Sequence, residues 1–241
     1  MVKFVREKMR NIYRGIRCLL VCGCLVSVAC VRNTFAWSEK DYSKHDYRSF
    51  EKLSAPRQRI PMDNIDHQLL NAAIFYETNR QRILHGLSTL RYSPLLERAA
   101  AGHCRDMVRH EFFLHESPVK GRETLRDRVE QLGFDMRNRI IGENIGDVFG
   151  IEYESGTTVY PPDEKKDYFS YEPGGKPIPR HTYRGLAKIA VSSWMGSPKH
   201  RANILDKRFT ALGAGSAHYK DAGFNDIDRF KLTQNFSGEL R

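Results

Sequence analysis

A chain of 241 residues, 40% of them hydrophobic, is long enough to bury a core without disulfide staples, and one domain plus extensions is expected. The formal charge of +10 is unevenly placed: residues 1–36 hold seven basic side chains and one acid, a net of +6, leaving +4 spread among acids over the rest. No dense basic stripe stands out, so nucleic acid is excluded as a partner, and with four of five cysteines in one apolar run a disulfide framework is excluded too.

The N-terminus reads as an export signal spanning residues 1–36. Met1 to Arg17 is basic, Cys18 to Val31 is uncharged, and Thr34-Phe35-Ala36 offers a cleavage site before Trp37. The apolar run is shorter than the ~20 residues of a membrane-spanning helix. A secreted or periplasmic location follows, with a lipoprotein cleaved before Cys30 as the alternative. Residues 37–61 are polar, lack helical or strand periodicity and end at Pro56 and Pro61, the pattern of a linker or loosely packed arm.

The folded domain is expected over 62–241. Asp63 is placed to cap a helix through Ile65, Leu69, Ala73, Ile74 and Ile83, with Gly86 ending it. Ser93-Pro94 starts a second helix, with a small-residue face at Ala99 to Gly102 and an inert, buried Cys104. A third, from Thr124 to Leu132, stops at Gly133. The first strand-like segment, Ile140 to Gly146, places Glu143 between isoleucines and glycines, where a buried carboxylate requires a partner. Residues 151–184 hold five tyrosines and five prolines without periodicity; they read as an insertion that could face a cell-envelope partner or be merely tolerated.

Leu186, Ile189, Ala190 and Trp194 then give a helix that delivers W-M-G-S-P-K-H-R-A-N-I-L (Trp194 to Leu205). Gly196 fits a left-handed helix stop, and Ser197-Pro198 a cap plus first turn for a new helix that carries His200 near its start. Two strands close the chain, around Gly213 to Gly215 and around Phe230 to Phe236, joined as a hairpin through Asp221 to Asp226. The element order argues for an α+β fold with a mostly antiparallel sheet.

Six motifs in order carry a family resemblance: N-R-Q-R-I-L-H-G-L-S-T-L (Asn79 to Leu90), F-L-H (Phe113 to His115), G-E-N-I (Gly142 to Ile145), S-W-M-G-S-P-K-H-R-A-N-I-L (Ser193 to Leu205), G-A-G (Gly213 to Gly215) and L-T-Q-N-F (Leu232 to Phe236). The chain resembles the CAP superfamily of SCP-like domains, in its bacterial form. The resemblance implies a three-layer α-β-α sandwich with a cleft whose histidines and glutamates bind a divalent cation. His115, Glu143 and His200 match family positions. Ser197 and Lys231 stand where animal and plant members have a second glutamate and a second histidine.

Two imidazoles and a carboxylate form a sufficient ligand set for zinc, with calcium or magnesium as alternatives. The candidate cleft is therefore His115, Glu143, His200, Ser197, Asn144 and Lys231, with the first three as metal ligands. Two functions compete: a monomeric binding module taking a small molecule, lipid or peptide, and a hydrolase using a metal-activated water or a His/Glu-assisted nucleophile. Ser197 as nucleophile is disfavoured, because a capping hydroxyl is committed to backbone amides and no G-x-S-x-G elbow surrounds it.

Overall fold

The two C-terminal strands, β3 (Phe209–Asp221) and β4 (Ile227–Glu239), form the centre of the sheet. Their connection follows from residue type: the Asp221 carboxylate accepts the Gly223 N–H at 3.1 Å, and Asn225 and Asp226 take φ of +52° and +55°, a region these two side chains tolerate better than most. The computed structural model describes residues 37–163 and 166–240. The expected signal peptide and both cleavage sites lie outside the described residues.

Ahead of the hairpin come α1 (Tyr47–Lys52), α2 (His67–Leu84), β1 (Arg91–Tyr92), α3 (Pro94–Arg109), α4 (Leu125–Glu130), β2 (Arg139–Phe149), α5 (Tyr183–Gly196) and α6 (Pro198–Leu205). The sheet order is β1-β3-β4-β2; β2 is antiparallel to β4 with Glu143 opposite Asn235, and only the two-residue β1 runs parallel to its neighbour. The fold is thus α+β with a mostly antiparallel sheet, as expected.

Strand alternation sends successive side chains to opposite faces. Gly213 and Gly215 face α3, and a Cβ on either would stand 2.0 Å from Glu97 N or 2.2 Å from Ala101 N, so helix and sheet backbones touch where the sequence has only hydrogens. Glu143, Ile145 and Asp147 share that face, and Ile145 packs with Cys104 and Met107 of α3. On the other face, Leu212, Ala214 and Phe236 join Leu70 and Ile74 of α2 and Leu186 and Trp194 of α5 in the main core.

Residues 37–61 are not a linker. Trp37, Phe50 and Ile60 are fully buried, Phe50 stacks on Tyr76 of α2 at 4.4 Å, and the Ile60 N–H bonds the His181 carbonyl at 2.9 Å. The apolar residues here are few and irregularly spaced along one short helix and two 3₁₀ turns, so no period reveals them; each buried aromatic still contributes about 1.5–3 kcal/mol. Within the 151–184 insertion, Ile151 and Ile178 pack with Ile227, and Phe169 and Tyr171 lie against them.

Three terminus assignments differ from expectation. Asp66, not Asp63, caps α2, accepting the Leu69 N–H at 2.9 Å. Gly196 lies inside α5, which ends at Ser197 with φ −92° and ψ 121°, so no left-handed glycine is used there. Ser197 does precede Pro198 at the start of α6, but its hydroxyl makes no capping hydrogen bond. The Ser197 carbonyl, accepting the Arg201 N–H at 2.8 Å, begins the new helix instead.

Candidate functional site

An edge strand carries unpaired backbone groups that need partners. On β2 the outward carbonyls of Glu143 and Ile145 are met by side chains of the α5–α6 corner: Asn203 Nδ2 donates to Glu143 O at 3.0 Å, and Trp194 Nε1 to Ile145 O at 2.8 Å. The W-M-G-S-P-K-H-R-A-N-I-L stretch therefore seals the sheet edge. Asn203 also donates to Asn144 Oδ1 at 2.9 Å, while Asn144 Nδ2 reaches the His200 carbonyl at 3.1 Å and Gln234 Oε1 at 3.0 Å. Asn144, expected in the cleft, is instead fully buried on the face opposite Glu143, where it fixes the start of α6 to the sheet.

Glu143 lies on the α3 and α4 side with its side chain 5% exposed. Its Oε2 receives Arg128 Nη2 at 2.7 Å, and its Oε1 receives His115 Nδ1 at 2.9 Å. Asn235 crosses beneath and, in the amide orientation that satisfies both of its ends, donates to Oε2 at 3.1 Å. His103 Nε2 sits 4.0 Å from Oε1 and 3.1 Å from the Leu114 carbonyl. Each carboxylate oxygen thus has a donor, as burial of a charge demands.

Arg128 and His103 carry this arrangement, and both lie outside the residues to which the sequence motifs point. Arg128, 2% exposed, also directs Nη1 to the carbonyls of His115, Arg122 and Glu123 at 3.2–3.3 Å, so one guanidinium orders the loop that presents His115 and holds the glutamate. A signal existed: Arg128 falls three residues after Leu125, beside Val129 in the apolar phase of α4. His103 is buried, with Nδ1 lacking a partner among the described residues. Burial holds its pKa below the ordinary imidazole value despite Glu143 nearby.

The other expected members are spread around this centre. The His200 ring, half-buried at the start of α6, makes no hydrogen bond among the described residues, and its pKa is lowered by burial and then by the charge of His115. Ser197 is likewise half-buried, and no histidine bonds its hydroxyl. Lys231 shares the face of Glu143 but stands opposite Asp147, four strand residues or about 13 Å along. There it pairs with Asp147 Oδ2 at 2.5 Å and lies over the Phe113 ring at 4.6 Å.

These residues do not fit the expected cation. Among the described residues, no group of three or more His, Cys, Asp or Glu side chains could hold a metal ion. His115 bonds Glu143 and its charge reaches His200, yet both Glu143 oxygens are engaged, one of them by a buried guanidinium whose charge would repel a divalent ion. Cys104 offers nothing further: burial pushes its thiol up to about 12, consistent with the inert role expected for it.

A buried glutamate on the edge strand of a mostly antiparallel sheet, which has helices packed on both faces, thus bonds a histidine. The family described as the cysteine-rich secretory protein family, CAP, matches residues 75–236, and the chain belongs to it. Two proteins of Bacillus subtilis (strain 168) are similar. The uncharacterized membrane protein YlbC is 28% identical over 159 residues, covering 66% of this chain and 32% of that one. The uncharacterized protein YkwD is 28% identical over 138 residues, covering 57% and 38%. The chain therefore spans about a third of the length of these relatives. Among solved structures, an extracellular SCP-domain protein from Bacillus anthracis str. Ames is 26% identical with a TM-score of 0.47, over 73% of this chain and 42% of that one.

Proposed function

We propose that this chain is an exported, non-enzymatic binding module of the CAP family. Its cleft is neutralised internally by Arg128 rather than by a metal, and engages a small molecule, lipid or peptide at His115. The observation that carries this reading is the Arg128–Glu143 pair, 2.7 Å apart and almost wholly buried. It supplies the positive charge a cation would supply, and occupies the carboxylate a hydrolase would need as base or ligand. The His115 side chain, by contrast, is 55% exposed, and it directly follows the exposed Phe113 and Leu114 in the chain. That rim pairs a hydrogen-bonding imidazole with an apolar lip, which suits a ligand with a polar head and an apolar body. Export rests on the basic and apolar leader of residues 1–36.

Calorimetric titration of the purified full chain with Zn²⁺ tests the metal-free cleft. The expected result is no stoichiometric uptake by the wild type. One-to-one binding that disappears in both His115→Ala and His200→Ala would overturn this reading and restore the metal centre.

A further inference from the structure

A cavity of about 530 Å³ opens at the other edge of the sheet, remote from Glu143. β1 pairs with β3 only at Ala211 and Leu212, so beyond them the outer edge of β3 runs open between the start of α2 and the length of α3. Into this groove α3 presents Arg98, Arg105 and Arg109. Their spacing of seven and four residues places them on one helical face, in steps of about 10 and 6 Å. This is a basic stripe that composition conceals, because it is diluted by the residues of the other faces.

All three arginines are exposed, and none makes a hydrogen bond or ion pair among the described residues. The acids at the groove are already engaged. The Glu97 carboxylate accepts the Tyr42 hydroxyl at 2.8 Å, and Asp228 holds His218 Nε2 at 2.8 Å. His67 adds a further polar group: its Nδ1 is committed to Ser216 Oγ at 2.9 Å, which itself donates to Asn71 Oδ1 at 2.8 Å, leaving Nε2 without a partner among the described residues.

Guanidinium groups match the paired oxygens of a phosphodiester bidentately. Three of them in a line, over about 16 Å, suit a flexible chain of repeated charges better than one compact anion. The lining contains no Trp, Tyr or Phe on which bases could stack. We propose that this groove binds an extended phosphodiester polymer with a base-free polyol backbone. The assignment is independent of the His115 cleft.

The test is fluorescence anisotropy of defined-length poly(glycerol phosphate) with the full chain, across a salt series. Wild type should bind with a falling log–log salt dependence. The triple variant Arg98→Gln/Arg105→Gln/Arg109→Gln should lose at least about tenfold in affinity, with a slope shallower by about 2. The charge-matched control Lys188→Gln/Lys199→Gln/Lys207→Gln, at exposed sites elsewhere, should bind as wild type does. Circular dichroism confirms that each variant folds. No binding by wild type, equal loss in both triple variants, or tighter binding of an equally charged oligothymidylate or polygalacturonate would each overturn the proposal.

Discussion

Arg128 and Glu143 form a buried ion pair in which the arginine belongs to a short helix and the glutamate to the edge strand of the sheet. The same guanidinium holds three carbonyls of the loop bearing His115, so charge compensation and loop order are one event. The site is therefore preorganised by a side chain outside the family motifs.

Removing one member of such a pair leaves a buried, uncompensated charge, which costs about 3–5 kcal/mol. Arg128→Met should destabilise the protein by that order in urea unfolding. Arg128→Met combined with Glu143→Gln should recover much of the loss, because a neutral amide does not require the guanidinium. Additive losses in this double-mutant cycle would show that the two side chains act separately.

The sheet edge gives a second prediction. Asn203→Ala leaves the Glu143 carbonyl without its donor and also loosens Asn144, an expected cost of about 1–3 kcal/mol. Trp194→Phe keeps most of the ring but removes the Nε1 donor to Ile145, for about 1 kcal/mol. Hydrogen exchange of the β2 amides should accelerate in both variants and remain unchanged in Lys188→Gln.

How much of this was legible in the sequence follows from what each signal depends on. Helices and the hairpin were readable because their determinants are local: Thr124 and Gly133 bracket α4, and Asp221 to Asp226 encode their own turn. Glu143 was readable because a lone acid among apolar residues implies burial and a partner. Which partner was not, since Arg128 reaches it through tertiary packing across 15 residues. Strand parity decided Asn144 against the cleft, and one residue of register separates the two faces. The buried arm of residues 37–61 stayed hidden for a third reason: its aromatics answer to the surface of α2, not to a period of their own.

Gly213 and Gly215 test the contact between α3 and the sheet. A methyl group at either would meet helix backbone, which cannot swing aside as a side chain tip could. Gly213→Ala and Gly215→Ala should each cost about 1–3 kcal/mol or more by overpacking, measured as a lowered urea midpoint. Gly102→Ala, on α3 with open space around it, should be neutral or slightly stabilising.

The pH dependence has a defined sign at His103. Its folded-state pKa lies below the ordinary imidazole value, so as pH falls through about 6.5 the unfolded chain takes up a proton that the folded one refuses. Stability from this group is complete above that pH and is lost progressively until the lowered folded pKa is reached. Glu143, Arg128 and Asp106 are the charged groups that face it. Urea midpoints of wild type and His103→Gln, compared between pH 7.5 and 5.5, should show a steeper acid loss in wild type. Parallel curves would mean that His103 does not contribute to the slope.

The two serine or threonine positions that precede α5 and α6 separate capping from mere sequence likeness. Thr182 Oγ1 accepts the Gly185 N–H at 2.9 Å at the start of α5, whereas Ser197 makes no such bond at the start of α6. A side-chain cap is typically worth about 1 kcal/mol. Thr182→Ala should therefore lower stability by about that amount, while Ser197→Ala, at a half-buried hydroxyl that makes no capping bond, should stay within about 0.5 kcal/mol of wild type. The same pair bears on chemistry. A serine that can be removed without loss of fold, and that no base activates, should also leave ligand affinity at His115 unchanged. If Ser197→Ala abolished binding without altering the urea midpoint, the hydroxyl would have to contact the ligand directly, and the cleft would extend from His115 across the β2 edge to the α5–α6 corner.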